Sequence, residues 1–415
     1  MLMNKKLDKA ESGFLHILSS CINNTAVPQM NLCQQEWEEV VRIARAHNVF
    51  PLIFEKASEN ESFVSLPEYQ QYAFEVMSIV AGQARRTEAF LSLYKEFVKA
   101  DIHPIVMKGL ICRQLYEEYC DHRPSGDEDI LIQKSEFELV QQILVKNGYY
   151  PDHENIKVEQ LEDLQEVTFF NTVIGLSIEV HVNPIGHEDN WRRQLNDCFK
   201  NVFQNRIDEV VDDVAITTMG YTDHMLFLIL HAFKHLTAGG FGIRQVLDIL
   251  IYAEKYESVC NWEHLCEVLT GLKAELFLQD LFYIGEKYLG FHMEGASESN
   301  CPDDLLAEIL SCGVFGNATQ AQRTATQMTS SAMQSKRKDN FSNLSTWFYT
   351  VFPAKSQMLS FHPELQEKPW LLPVCWVKRW GRFLAHNKAN GGNLAAESMK
   401  ISKRRIELLK KYDIL

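Results

Sequence analysis

The sequence predicts an α+β fold: a small mixed sheet in the middle of the chain, flanked by helices. Three observations carry this reading. Apolar residues recur at helical spacing through the first hundred residues and again after about residue 200. Between these regions, short β-type runs alternate with helical ones and end in two alternating runs, Val167–Val173 and Leu176–Val182. No polar or Gly-rich linker follows the first region, so its helices are expected to pack on the sheet rather than fold apart. The expected divisions are an N-terminal helical region over 1–100, a sheet-bearing core over 101–200 and a C-terminal helical domain over 201–415.

Each element has its own signal. Trp37, Val40, Val41, Ile43 and Ala44 follow helical spacing. Pro67 opens a long helix towards Ala100, with Phe74, Met77, Val80 and Ala81 on one stripe expected to face the core. From His103 the pattern gives strand Ile105–Met107, helix Leu110–Tyr119 and strand Glu128–Ile132. A helix starting at Lys134–Phe137 stops at Asn147-Gly148. Ile174-Gly175 forms a tight hairpin turn. Helices are expected at Tyr221–Ala238, Ile243–Tyr252, Trp262–Leu272 and Leu276–Leu289. Ala318–Asn340 is polar, a solvated helix or a loop. An aromatic-rich stretch, Trp347–Phe383, precedes a basic amphipathic helix near Leu394–Lys411. Its Lys400–Arg405 and Lys410–Lys411 read as a solvated face, and Trp370, Trp376 and Trp380 as core packing.

The bulk numbers bound the function. The 415 residues suffice for two or three domains, and 46% apolar with 23% charged residues is the composition of a soluble globular protein. A net charge of −14 argues against a dedicated DNA-binding surface. Ten cysteines without a Cys-x-x-Cys pair read as buried free thiols in a reducing compartment. The N-terminus lacks the apolar core of a signal peptide, and the longest apolar run, Met225–Leu230, is broken by His231 and Lys234. A cytoplasmic protein with no membrane partner is expected.

Asp127 and Asp129 sit two apart at the start of a strand, so both point to one face, with α-carbons about 7 Å apart, while Glu128 points away. Such a pair repels itself unless a cation neutralises it, which suits Mg²⁺ or Mn²⁺ holding a phosphate substrate. Lys108-Gly109 marks a strand-to-helix junction where glycine lets the backbone approach a phosphate and the helix N-terminus offers free N–H groups. On the second β-run, Ser177, Glu179 and His181 share the face opposite Ile178, Val180 and Val182. Glu179 is a candidate third metal ligand or general base, and His181 a group that orients it or touches substrate. His231 and His235 lie four apart on a helix beside Lys234. A zinc site lacks its glutamate there, because Ala232 holds that position, and capping of the apolar stripe is the bland alternative. Arg244 and Asp248, also four apart, read as an intrahelical ion pair, or Arg244 meets a phosphate.

Taken together, Lys108-Gly109, Arg123-Pro124, Asp127-x-Asp129-Ile-Leu-Ile and Ile178-Glu179-Val180-His181 resemble the superfamily that includes DNA polymerase β and the aminoglycoside nucleotidyltransferases. More closely, they resemble bacterial nucleotidyltransferase family 5. Leu230-His231-Ala-Phe-Lys234-His235 with Arg244–Asp248 extends the likeness, as do Phe352-Pro353 and Pro369–Pro373. The resemblance implies a polymerase-β-like core and a Mg²⁺-dependent transfer of a nucleoside monophosphate from an NTP to a hydroxyl acceptor. That acceptor is a small molecule, protein or RNA. Asp127, Asp129 and Glu179 would be the catalytic and metal-binding set. Lys108, Gly109, Arg123, Gly126, His181, His231, Lys234, His235 and Arg244 would be nucleotide-binding. Departures are the missing serine after Gly109, Gly126 where a serine is common, and Glu179 where the superfamily has aspartate. A non-catalytic nucleotide sensor or scaffold is the alternative from another class.

Overall fold

The computed structural model describes residues 7–152, 158, 161, 166–186, 190–238, 240–293, 302–313, 321–322, 324–326, 329, 352, 355–358, 362–366, 368–389 and 394–414. Most of the polar Ala318–Asn340 segment, with Trp347 and Pro353, lies outside these residues. The fold is α+β, built on one seven-stranded mixed sheet.

The strands are β1 (Ile105–Val106), β2 (Asp127–Leu131), β3 (Tyr150–Pro151), β4 (Val167–Asn171), β5 (Leu176–His181), β6 (Ile207–Val211) and β7 (Val214–Thr218), in the order β3-β4-β5-β2-β1-β7-β6. β2 runs parallel to β5 in a register that sets Asp127 beside Ser177, Asp129 beside Glu179 and Leu131 beside His181. β4 and β5 form the expected hairpin. Gly175 takes φ +71, and the Asn171 side chain accepts from the Val173 and Ile174 N–H groups.

Helix alone is expected beyond about residue 200, but β6 and β7 add two strands to the far edge of the sheet. Their turn is Asp212-Asp213, both at positive φ (45° and 62°), the geometry of a two-residue primed hairpin turn. Asp-Asp supplies the left-handed conformation less readily than Asn-Gly, so the turn carries a weak sequence signal.

One face of the sheet packs on the Tyr69–Lys99 helix and on the Phe137–Lys146 helix. Phe90, Tyr94 and Phe97 meet Val106, Ile130, Ile178, Val180 and Ile216 there, with Val140 and Leu144. Tyr94 pins helix to sheet: its hydroxyl donates to the Pro104 carbonyl (3.0 Å) and accepts from the Thr217 N–H (2.9 Å). The stripe expected to face the core does not. Phe74 and Met77 are 74% and 70% exposed, and the helix instead buries Tyr72, Val76, Gln83 and Thr87. Helical spacing identifies a face but not its direction when the true core face carries polar residues with local partners.

Two compact units emerge. One comprises Lys6–Ala232 with Arg244–Glu298 and holds the whole sheet; the other comprises Met1–Lys5, Phe233–Ile243 and Ser299–Leu415. In the second unit, Arg405 departs from the solvated face expected of it: it is fully buried and donates to Glu308 Oε1 (2.7 Å), with Glu308 1% exposed. Trp370 departs too, being 70% exposed. Among the cysteines, Cys112 is buried but Cys33 and Cys266 are exposed. No helix among the described residues is long and apolar enough to cross a membrane.

His224, on the Tyr221–Ala238 helix, lies buried with its ring 5.0 Å from that of Tyr252, and burial pulls its pKa down to about 4. The folded protein therefore holds it neutral, while the unfolded chain protonates it near its ordinary value of about 6.5. Its contribution to stability is complete above that value and is lost as pH falls towards about 4. Between pH 7 and pH 4.5, wild type should lose about 2–3 kcal/mol more stability than His224→Gln in urea melts.

Candidate active site

β1 and the Lys108-Gly109 turn that follows it form one wall of a cleft. The Met107 N–H donates to the Asp129 carbonyl (3.0 Å), which carries the ladder past β1 and brings Lys108 over the edge of β2. Lys108 Nζ then lies 3.0 Å from Asp129 Oδ1. The cleft is lined by Lys108, Gly109, Arg123, Ser125, Asp127 and Asp129 together with His231, Arg244 and Asp248.

The strand alternation holds at the side-chain level. Ile130, Ile178 and Val180 join the core on one face, while Asp127, Asp129, Glu179 and His181 fall on the other. Asp129 is 1% exposed, and its Oδ1 also takes the His181 Nε2 contact at 3.2 Å. His181 Nε2 lies 3.9 Å from Glu179 Oε2. Asp129, Glu179 and His181 each bring one ligand atom to within 4.8 Å of the others. Asp127 is half-buried at the mouth of the same face.

The electrostatics follow from this crowding. Burial alone would raise the Asp129 carboxyl, yet Lys108 and His181 hold it well below the ordinary carboxylate range. Burial would lower the Lys108 ammonium, and Asp129, Asp127 and Glu179 outweigh it and push it up. At Glu179 the balance falls the other way. Burial, then the neighbouring Asp129 charge, outweighs the pull of Lys108 and raises its pKa to about 9. The second oxygen of Asp129, Oδ2, is buried and accepts no hydrogen bond from the protein. An unused buried carboxylate oxygen, a carboxyl driven neutral by burial and by its neighbour, and a third acid on one face make a hard-oxygen donor set that fits a divalent cation such as Mg²⁺ or Mn²⁺.

Glu128 has a different task, which the alternation alone does not reveal. Fully buried, it accepts from Leu110 N–H (2.7 Å) and from Arg113 Nη2 (2.6 Å), with Arg113 itself 1% exposed. The N–H at the start of the Leu110–Arg113 helix is thus taken by a protein carboxylate, and the helix is only four residues long. The expected phosphate cradle of free N–H groups is corrected on this point. Gly109 is required for another reason: it sits at φ +53, and a Cβ there would fall 2.1 Å from Glu128 Oε2. Gly109→Ala should cost at least about 3 kcal/mol in denaturant titration, because left-handed strain adds to a clash with a carboxylate that two bonds hold fast.

The Arg123–Gly126 loop is fastened from several elements. Gln83 Oε1 accepts from Ser125 N–H (2.9 Å), Arg86 Nε donates to the Ser125 carbonyl (3.1 Å), and Arg113 Nη1 donates to Ser125 Oγ. Ser177 N–H donates to the Gly126 carbonyl (2.9 Å), and Arg244 Nη1 to that of Pro124. Gly126 itself is exposed, with open space where a side chain would begin, so nothing local requires glycine. Arg123 lines the cleft with its Nη1 buried and without an acceptor, while the rest of its guanidinium is held within the protein. Its Nε donates to Asp248 Oδ1 (2.7 Å) and its Nη2 to Asp248 Oδ2, while Tyr116 donates to the same carboxylate (2.9 Å). Asp248 is therefore not the intrahelical partner of Arg244, whose Nε is buried without an acceptor. His231 lines the cleft with its ring 5.4 Å from Phe227, but Lys234 and His235 are not among the lining residues. Gln83, Arg113 and Glu128 escaped sequence reading. The one available signal was an arginine inside the apolar run Leu110–Leu115.

A family model described as an uncharacterised nucleotidyltransferase matches residues 34–290. The chain belongs to this nucleotidyltransferase family. The match begins among the N-terminal helices, well before the cleft residues, and ends before the aromatic stretch, so Phe352-Pro353 and Pro369–Pro373 lie outside the matched span. No curated protein and no solved structure matches the chain. Membership supports nucleotidyl transfer as the general chemistry, and the carboxylate cleft lies wholly inside the family's span.

Proposed function

We propose that the chain transfers a nucleoside monophosphate from an NTP to a hydroxyl acceptor, releasing pyrophosphate, with Mg²⁺ or Mn²⁺ held by Asp127, Asp129 and Glu179. The observation that carries this reading is the three acids on one face of adjacent parallel strands, one with a buried oxygen that no protein group satisfies. The cation, when bound, supplies positive charge to the triphosphate and the reacting phosphoryl oxygens. Asp129 is positioned by Lys108 and His181, so its donor geometry is set before substrate arrives. Lys108 and Arg244 face the cleft and neutralise phosphate charge. Glu179, basic once ionised, takes the acceptor's proton at a carboxylate oxygen.

A second reading is favoured by the Leu110 N–H being capped by Glu128, with no serine following Gly109: a sensor that binds nucleotide without turnover. Incubating the protein and a cell extract with each α-labelled NTP separates the two. Label on a small molecule, RNA or protein, lost in Asp127→Ala/Asp129→Ala, supports transfer and names the acceptor class. Tight nucleotide binding with all label recovered as NTP sinks it in favour of the sensor.

A further inference from the structure

Residues 368–411 carry eleven Lys and Arg against two Glu, a net +9 in a chain of −14, so the remainder carries −23. No acidic residue occurs between 368 and 396. Arg404, Arg405 and Lys411 are met inside the protein by Glu308 and Asp304. The excess that an anionic partner would answer therefore lies on the stretch 372–389, which carries four Lys and Arg and no acidic residue. The Leu372–Ala389 helix formed by this stretch has two distinct sides. On the inner side, Cys375 packs with Met358 and Leu365, and Trp376 rests on them. Phe352 meets Trp376 and Trp380 edge-on, at 5.1 and 4.9 Å. On the outer side, positions 370, 374, 377 and 381 recur at helical spacing, and Trp370, Val374 and Val377 are 70%, 49% and 62% exposed. Pro373 is exposed beside them, and exposed Lys368, Lys378 and Arg382 flank the stripe. Arg382 also reaches His362 Nε2 (3.4 Å), and the Lys378 charge is felt by Glu364. A helix on a globular surface normally turns polar residues to water; this one turns out Val374 and Val377, continued by Trp370 in the Pro369–Leu371 turn before it.

We propose that this stripe seats the Leu372–Ala389 helix in the interface of an anionic lipid bilayer, with its flanking cations on the headgroups. Apolar side chains with one tryptophan, flanked by Lys and Arg, are the chemistry of a helix lying in the plane of a membrane surface. The stripe suits RNA poorly, since bases stack on planar rings and Val374, Val377 and Pro373 offer none. It suits a second copy poorly, because a two-fold contact would set two basic segments face to face. The acidity elsewhere is no obstacle, as charges beyond about 8 Å are largely screened at physiological salt. Contact of this kind needs no spanning helix.

The test is flotation of the full chain with vesicles of three parts phosphatidylcholine to one part phosphatidylglycerol, against phosphatidylcholine alone. The protein should float with the anionic vesicles and not the neutral ones, and high salt should release it. Val374→Glu/Val377→Glu and Lys378→Glu/Arg382→Glu should each weaken binding roughly tenfold with unchanged circular dichroism. No flotation with anionic vesicles, or equal flotation of both variants, overturns the proposal. So does binding to polyuridylate in place of vesicles, or a loss of self-association in the valine variant without any lipid binding.

Discussion

On the proposed function, Asp129→Asn should lower metal-dependent nucleotidyl turnover by at least about a thousandfold, the loss expected when a carboxylate that would hold the cation is removed. The substitution keeps the side chain's shape and leaves an oxygen for Lys108 and His181 but removes the buried counter-charge of Lys108, so circular dichroism and the thermal midpoint are measured alongside to show that the fold is retained. Pyrophosphate release with each NTP is one readout. Mn²⁺ binding followed by electron paramagnetic resonance is the other, and it is independent of any acceptor. If the Asp129→Asn variant bound Mn²⁺ as tightly as wild type, the donor set proposed for the cation would be wrong even if turnover fell.

The largest effect on stability should come from the other side of the same strand. Arg113→Leu strips Glu128 of its buried counter-charge and leaves Leu110 N–H as the one donor holding it. Breaking a buried pair from one end typically costs about 3–5 kcal/mol. Burial already raises the Glu128 pKa against the pull of Arg113, so a lone Glu128 should take up a proton rather than stay charged. The double variant Arg113→Leu/Glu128→Met should recover part of the loss, because two apolar groups leave no unpaired charge. Urea denaturation of wild type and the two variants gives the numbers. A single-variant cost below about 1 kcal/mol would mean that the pair does not hold the Gly109 turn.

What could be read in advance follows from the range of the interaction. The alternation that puts Asp127 with Asp129, and Glu179 with His181, is local, and it survived intact because side-chain direction in a strand repeats every second residue. The Gly109 turn was legible as a turn but not in purpose, since its partner Glu128 lies across the Leu110–His122 helical segment, on the next strand. Arg123 and Asp248 are farther apart still, separated by 125 positions, and no spacing rule reaches that distance. Arg244 was therefore given the nearest acid on its own helix, and the fold gave that acid to Arg123. The exposed Phe74 and Met77 show the complementary failure. Their helix does have a buried stripe, but it includes Gln83, whose amide holds Ser125 in place. A polar residue that serves a neighbour looks, from composition alone, like one that serves water.

The parallel pairing of β1 with β7 bears on how the molecule is made. Val106 lies beside Thr218, and the Thr218 hydroxyl donates to the Val106 carbonyl (2.7 Å) across 112 positions of chain. Loop closure over that distance is slow, and parallel pairs must wait for their crossover. On a ribosome, the strand that leads into Lys108 emerges long before the one that flanks it. Until residue 218 is available, β1 has only β2 to pair with, and its other edge stands open. The N-terminal helices can form first, but the edge of the sheet beside the cleft closes late. A fragment ending before β7 would keep Asp127, Asp129 and Glu179 and still lack the strand that seals the wall behind Lys108.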